Sequence, residues 1–153
     1  AGHGHIHICP EVMGKINQLG TLDEVLELCL LDERLIPCVD FGHLNARTFG
    51  SLREKADFAA VLDAIHDRLG EERARSFHVH FSRIEYTEKG GEKRHWTFAD
   101  KQYGPDFEPL AELIAERDLA LRIICESAGT QAEDAVAMRD MVQAARGRSD
   151  TTE

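Results

Sequence analysis

The stretch LIPCVDFGHLNAR, residues 35–47, decides how the chain folds. It begins as the short apolar run of a buried parallel strand. It then stops at an acid, Asp40, and a histidine, His43, follows three residues later. Both side chains can bind a divalent metal, and a tight turn between them would let both face one pocket. The pattern recurs along the chain. HIHICPE runs to Glu11, SFHVHFS carries His80, and LRIICES carries Glu126. Each is a β-rich run with a metal-ligand type at or near its C-terminal end.

Helical patterns separate these runs. TLDEVLELCLLDE opens with Thr21 and has Glu24 three residues on, the spacing of a capping box. DFAAVLDAIHDRLG places Phe58, Val61, Leu62, Ile65 and Leu69 on one face, and Gly70 is its stop. DFEPLAELIAERD has Pro109 near its first turn. QAEDAVAMRDMVQAARGR closes the chain as a helix and fades into a polar tail. The order is β-α four times, which predicts an α/β fold with four parallel strands and right-handed crossovers. The expected organisation is one α/β domain over residues 1–146 and a polar tail over 147–153. In such sheets ligands sit beyond the carboxyl ends of the strands, where all these acids and histidines would lie. Four β-α units make either a small open sheet or half of an eight-stranded barrel.

Composition narrows the function. The chain has 153 residues, 42% hydrophobic and 30% charged, ordinary values for one globular domain. No run approaches the roughly 18 apolar residues of a membrane span, and no signal peptide is read at the N-terminus. The net charge of −10 argues against a generic nucleic-acid surface but leaves room for a local basic groove or bound cations. Cys9, Cys29, Cys38 and Cys125 form no C-x-x-C pair. They read as buried reduced thiols, which fits a cytoplasmic protein.

Glu11, Asp40, His80 and Glu126 together make a carboxylate-rich site with one imidazole. Such a donor set suits Zn, Mn, Mg or Fe. His43 and His95 are further candidates, the latter in the long polar connection YTEKGGEKRHWTFADKQYGPDFE. Trp96, Phe98 and Tyr103 mark that connection as an ordered loop. His66 reads as a helix residue that partners the core or solvent, and His78 as a packed or hydrogen-bonding one. His3, His5 and His7 alternate at the N-terminus and are not assigned as ligands.

These residues carry a resemblance. CPEVMGK, VDFGHLNAR, HVHFSRIEYTEKGGEKRH, YGPDFEPLAELI and IICES resemble the endonuclease IV-like branch, AP endonuclease family 2, of the xylose isomerase-like TIM barrels. The likeness runs from about residue 8 to residue 141 and matches only the C-terminal half of such a barrel. It implies a zinc-dependent hydrolase that cleaves DNA at abasic sites in DNA repair. It implies Glu11 as a carboxylate bridging two metals, with Asp40, His80 and Glu126 as ligands of one of them. His43 and His95 would hold a third metal, and Glu11 and Glu126 would be catalytic. Arg83, Lys89, Lys93 and Arg94 would then meet phosphate oxygens, the alternative being a solvated loop face. Where the family has an Asp two residues before its second histidine, this chain has Lys93, with Glu92 one residue earlier.

Two other functions fit the same residues. A sugar isomerase or epimerase of the same superfamily would use one Mn or Mg, with Glu11 and Glu126 as both ligands and acid/base groups. A catalytically inactive half-barrel fragment is the other. An eight-stranded barrel typically needs about 250 residues. The chain is therefore expected either to form a homo-oligomer or to meet a missing N-terminal half-barrel.

Overall fold

The computed structural model describes residues 6–149, so His3, His5 and residues 150–153 lie outside the described part. A parallel sheet forms its centre, in the order β1 (Cys38–Asp40), β2 (His78–Phe81), β5 (Arg122–Cys125). Asp40 pairs with His80, and His80 with Ile124. The first expected strand is present as a broken one. Residues 8–11 run parallel to β1 through the bridges Ile8–Leu35 and Glu11–Cys38. Pro10 interrupts the ladder because it has no N–H to donate. Its carbonyl still accepts from Cys38 N at 2.8 Å, and Val12 N donates to Cys38 O at 3.0 Å.

The helices cover one face of this sheet. They are α1 (Leu22–Cys29), α3 (Lys55–Leu69), α4 (Glu71–Arg75), α5 (Glu108–Glu116) and α6 (Gln131–Ser149). The capping box of α1 forms as its spacing predicts: Thr21 Oγ1 accepts from Glu24 N, and the Glu24 carboxylate accepts from Thr21 N. Gly70 ends α3 at φ 80°, a conformation that favours glycine. Pro109 sits in the first turn of α5. The closing helix continues to Ser149, past the boundary expected at 146.

Val39, Val79 and Phe81 point into the core beneath the helices and are fully buried. Phe81 meets Phe107 edge-on with ring centroids 4.9 Å apart, and Phe41 stacks on Phe58 at 5.6 Å. The opposite face of the sheet has no layer over it among the described residues, where Ile124 is 44% exposed and Arg122 is exposed. The edge residue Ile8 is 64% exposed. Among the described residues the parallel strands form an open sheet that does not close into a barrel.

Two elements differ from expectation. The turn between Asp40 and His43 is the start of a helix, α2 (Phe41–Arg47). The ordered loop expected after β2 is largely an antiparallel hairpin, β3 (Arg83–Thr87) and β4 (Gly91–Trp96). This hairpin packs against α2. Gly42 permits that contact: a Cβ there would lie 2.6 Å from the Ser82 carbonyl oxygen. Replacing glycine by alanine inside a helix ordinarily stabilises by about 0.5–1 kcal/mol. Here the sign reverses. Gly42→Ala should lower stability by about 1–3 kcal/mol through overpacking, seen as a lower urea midpoint at unchanged slope. An unchanged or raised midpoint would contradict the close contact.

Candidate metal centre

The C-terminal ends of the parallel strands bring the candidate ligands together. Asp40 ends β1 and caps α2, where its Oδ1 accepts from His43 N at 2.6 Å. The carboxylate therefore serves both strand end and helix start, and it places His43 one turn away on the same side. Glu11 reaches the same point from the bridged segment, and His80 from β2. Glu126 follows β5, with its N–H donating to Phe81 O at 3.0 Å. One ligand atom from each of Glu11, Asp40, His80 and Glu126 lies within 4.8 Å of the others. A second set, His43, His95 and Glu126, meets the same limit, so Glu126 belongs to both.

The spacings suit a cation. His80 Nδ1 lies 3.1 Å from Glu11 Oε1 and 3.3 Å from Glu126 Oε1. Ligand atoms at about 2.0–2.1 Å from a tetrahedral zinc are themselves about 3.3–3.4 Å apart. Asp40 is fully buried, and its Oδ2 has no hydrogen-bond partner among the described residues. A buried carboxylate oxygen left in that state is costly. A divalent ion among these four side chains would satisfy it. Glu11, Asp40, His80 and Glu126 therefore fit a metal of the Zn, Mn or Mg kind.

The second histidine pair is oriented from behind. His43 Nδ1 lies 3.0 Å from Val12 O, and His95 Nδ1 lies 2.8 Å from Ser82 Oγ. These contacts leave Nε2 of each ring open as a ligand atom, while Nδ1 of His43 lies 3.3 Å from Asp40 Oδ2 and Nδ1 of His95 lies 3.9 Å from Glu126 Oε2. Ser82 is fully buried, so this contact is sheltered from water. The residue gave no sign in the sequence, because a lone serine after a strand has no distinctive spacing. Cys38 is another unassigned neighbour, grouped with Glu11 and His80 on the inner sheet face. Cys29 and Cys125 are buried as expected, whereas Cys9 is exposed.

The basic residues divide. Arg83 is buried, and its guanidinium donates to Tyr103 O at 2.8 Å and pairs with Asp106, anchoring the following loop. Lys93 Nζ and Arg94 Nε each lie 2.6 Å from the Glu85 carboxylate. Arg94 also lies over the Trp96 ring. Lys89 is exposed at the hairpin turn. His78 is half-buried with its ring edge-on to His80, and His66 is exposed on α3.

Without a cation the cluster holds protons. The Cys38 thiol and the Glu11 carboxylate raise the His80 imidazole to about 11. Burial pushes Asp40 up to about 7, against the pull of His43. The His80 ring in turn holds Glu11 below the usual carboxylate range, despite its burial. A metal must displace these protons, so its binding should strengthen as pH rises from 6 to 8 and should release protons. The metal-free fold behaves oppositely at Asp40. Its pKa is raised above an unfolded value of about 3.9, so that stabilising contribution is full below about pH 4 and lost as pH climbs through about 7. Asp40→Asn should therefore raise the melting temperature of the chelator-treated protein at pH 8 and remove the stabilisation that zinc gives the native chain. A lower melting temperature in chelator would contradict this account.

Comparison with known proteins agrees with the fold. A family profile described as the xylose isomerase-like TIM barrel matches residues 2–145. The chain is also 33% identical over 123 residues to an uncharacterized protein of Methanocaldococcus jannaschii, MJ0133. That alignment covers 80% of this chain and 44% of the relative, so the chain spans less than half the length of the curated protein it matches.

Proposed function

The chain belongs to the xylose isomerase-like TIM-barrel family, and from that premise we propose that it is the ligand-bearing half of a metal-dependent phosphodiester hydrolase of the endonuclease IV type, acting on DNA at abasic sites. The observation that carries this reading is the second ligand group: His43 and His95 meet at Glu126, the carboxylate that also completes the four-residue group. A shared carboxylate between two donor sets is the arrangement for ions about 3.5–4 Å apart, which suits phosphoryl chemistry.

Bound divalent ions would supply Lewis-acid polarisation of the phosphoryl oxygen and a water nucleophile at neutral pH. The chain's own residues place that chemistry. Glu11, Asp40, His80 and Glu126 fix one donor set at the strand ends. Val12 O and Ser82 Oγ orient the second histidine pair. Arg83 holds the loop through residues 103–106 beside the hairpin. Lys89 at the hairpin tip is exposed, and Lys93 and Arg94, exposed but paired with Glu85, would exchange that partner for a phosphate oxygen on binding a nucleic-acid backbone. Four more β-α units, from the rest of a longer polypeptide or from a second copy, would cover Ile124 and Arg122 on the inner face.

A second reading has a specific support. The four-residue group alone suffices for one ion, and the net charge of −10 suits a small sugar better than a polyanion. Incision of a duplex oligonucleotide with a single abasic site should separate them. With zinc, the full-length protein should cut that strand and leave aldose sugars unchanged, and Glu126→Gln should reduce the rate at least about 1,000-fold, a loss expected of a group acting in the transition state. Sugar isomerisation with Mn and no incision would establish the second reading. Full activity in Glu126→Gln would overturn both.

A further inference from the structure

We infer that Glu92 is a further ligand of the His43–His95–Glu126 group, brought there by a β-bulge at Lys93; the inference rests on the metal-site reading above. In a regular strand, residues three apart face opposite sides, so Glu92 and His95 on β4 should diverge. The hairpin register shows why they do not. Glu85 pairs with Arg94 and Tyr86 with Glu92, which leaves Lys93 as the extra residue on β4. One added residue reverses the alternation and re-aims the side chain that precedes it. Glu92 and His95 consequently face the same side, toward His43.

The distances complete the case. Glu92 Oε2 lies 3.6 Å from His43 Nε2, and Glu92 Oε1 lies 3.8 Å from His95 Nε2. These gaps exceed a hydrogen bond but approach the separation of about 3.3–3.4 Å between ligands of a tetrahedral ion. Both nitrogens are the ones left facing forward once Nδ1 is held. The two rings are edge-on, with centroids 5.5 Å apart, so they bracket the carboxylate without stacking.

The backbone is built around Glu92 as well. Its N–H donates to Gly14 O at 2.9 Å, and Lys15 bridges to Gly91. A Cβ at Gly14 would lie 2.6 Å from Glu92 Cβ and 3.0 Å from His43 Cδ2. Gly14 thus leaves the space in which the carboxylate and the imidazole approach.

Native mass spectrometry of the full-length protein after zinc loading, paired with zinc titration against a chromophoric chelator, tests this directly. The native protein should hold at least two zinc ions per chain. Glu92→Gln and Glu92→Ala should each lose one ion or weaken it at least about 100-fold, more than the 10–100-fold typical of a group that merely supports a ligand. Asp40→Asn should lose a different ion and keep the one at the histidine pair. The near-isosteric Gln variant, with an unchanged circular dichroism spectrum, separates ligand loss from misfolding. Two ions retained at native affinity in both Glu92 variants would overturn the assignment of Glu92 alone. A single ion, lost in Asp40→Asn and unaffected in Glu92→Gln, would overturn the second site. No zinc in the native protein would overturn the metal-site reading as a whole, and Glu92 with it.

Discussion

The Asp40 carboxylate is the constraint around which the rest is arranged. It is fully buried at the end of a core strand, with one oxygen capping a helix and the other accepting no hydrogen bond among the described residues, although His43 Nδ1 lies 3.3 Å from it. Taking a charged carboxylate out of water is expensive unless it is paired or bound to a cation. Burial pushes Asp40 up to about 7, which lowers that cost by favouring the protonated form. A site built to hold a cation and one built to hold a proton differ in the surrounding donors. Here two carboxylates and a histidine surround Asp40 within 4.8 Å, with His80 Nδ1 3.1 Å from Glu11 and 3.3 Å from Glu126, a donor set that fits a divalent ion.

The parallel sheet supplies the convergence. Side chains alternate along each strand, so Val79 and Phe81 anchor β2 in the core while His80 faces the other way. The in-register pairing of Asp40 with His80 then sets two candidate ligands side by side. The hairpin and α2 add the second group from outside the sheet. Their contact depends on Gly42, which lets α2 approach the Ser82 carbonyl, and the hydroxyl of the same serine meets His95 Nδ1. Fold and site thus rest on the same few close approaches.

Much of this was legible in residues 35–47 and their echoes. The acids and histidines at four strand ends were expected to converge, and they do, because parallel β-α units place strand ends on one edge. The capping box at Thr21 and the stop at Gly70 read correctly because their chemistry is local. The start of α2 was harder to read. Gly42 lowers helix propensity, and the packing that demands it comes from Ser82, far along the chain. The hairpin was hidden by the polar run EYTEKGGEKRH, whose Glu85, Lys93 and Arg94 pair with one another instead of marking a buried face. Glu92 was ambiguous for a related reason: strand parity counts against it until the bulge at Lys93 is known. Arg83 was a candidate for phosphate, and only the structure shows its guanidinium held by Tyr103 O and Asp106.

The central claim is that the strand-end side chains meet around divalent cations. Anomalous diffraction from zinc-loaded crystals at the zinc edge tests it most directly. The account predicts a peak about 2.0–2.2 Å from the Asp40 Oδ2, with oxygens of Glu11 and Glu126 and a nitrogen of His80 completing its shell. Asp40 Oδ2 hydrogen-bonded to an ordered water, with no anomalous peak within the cluster, would contradict it.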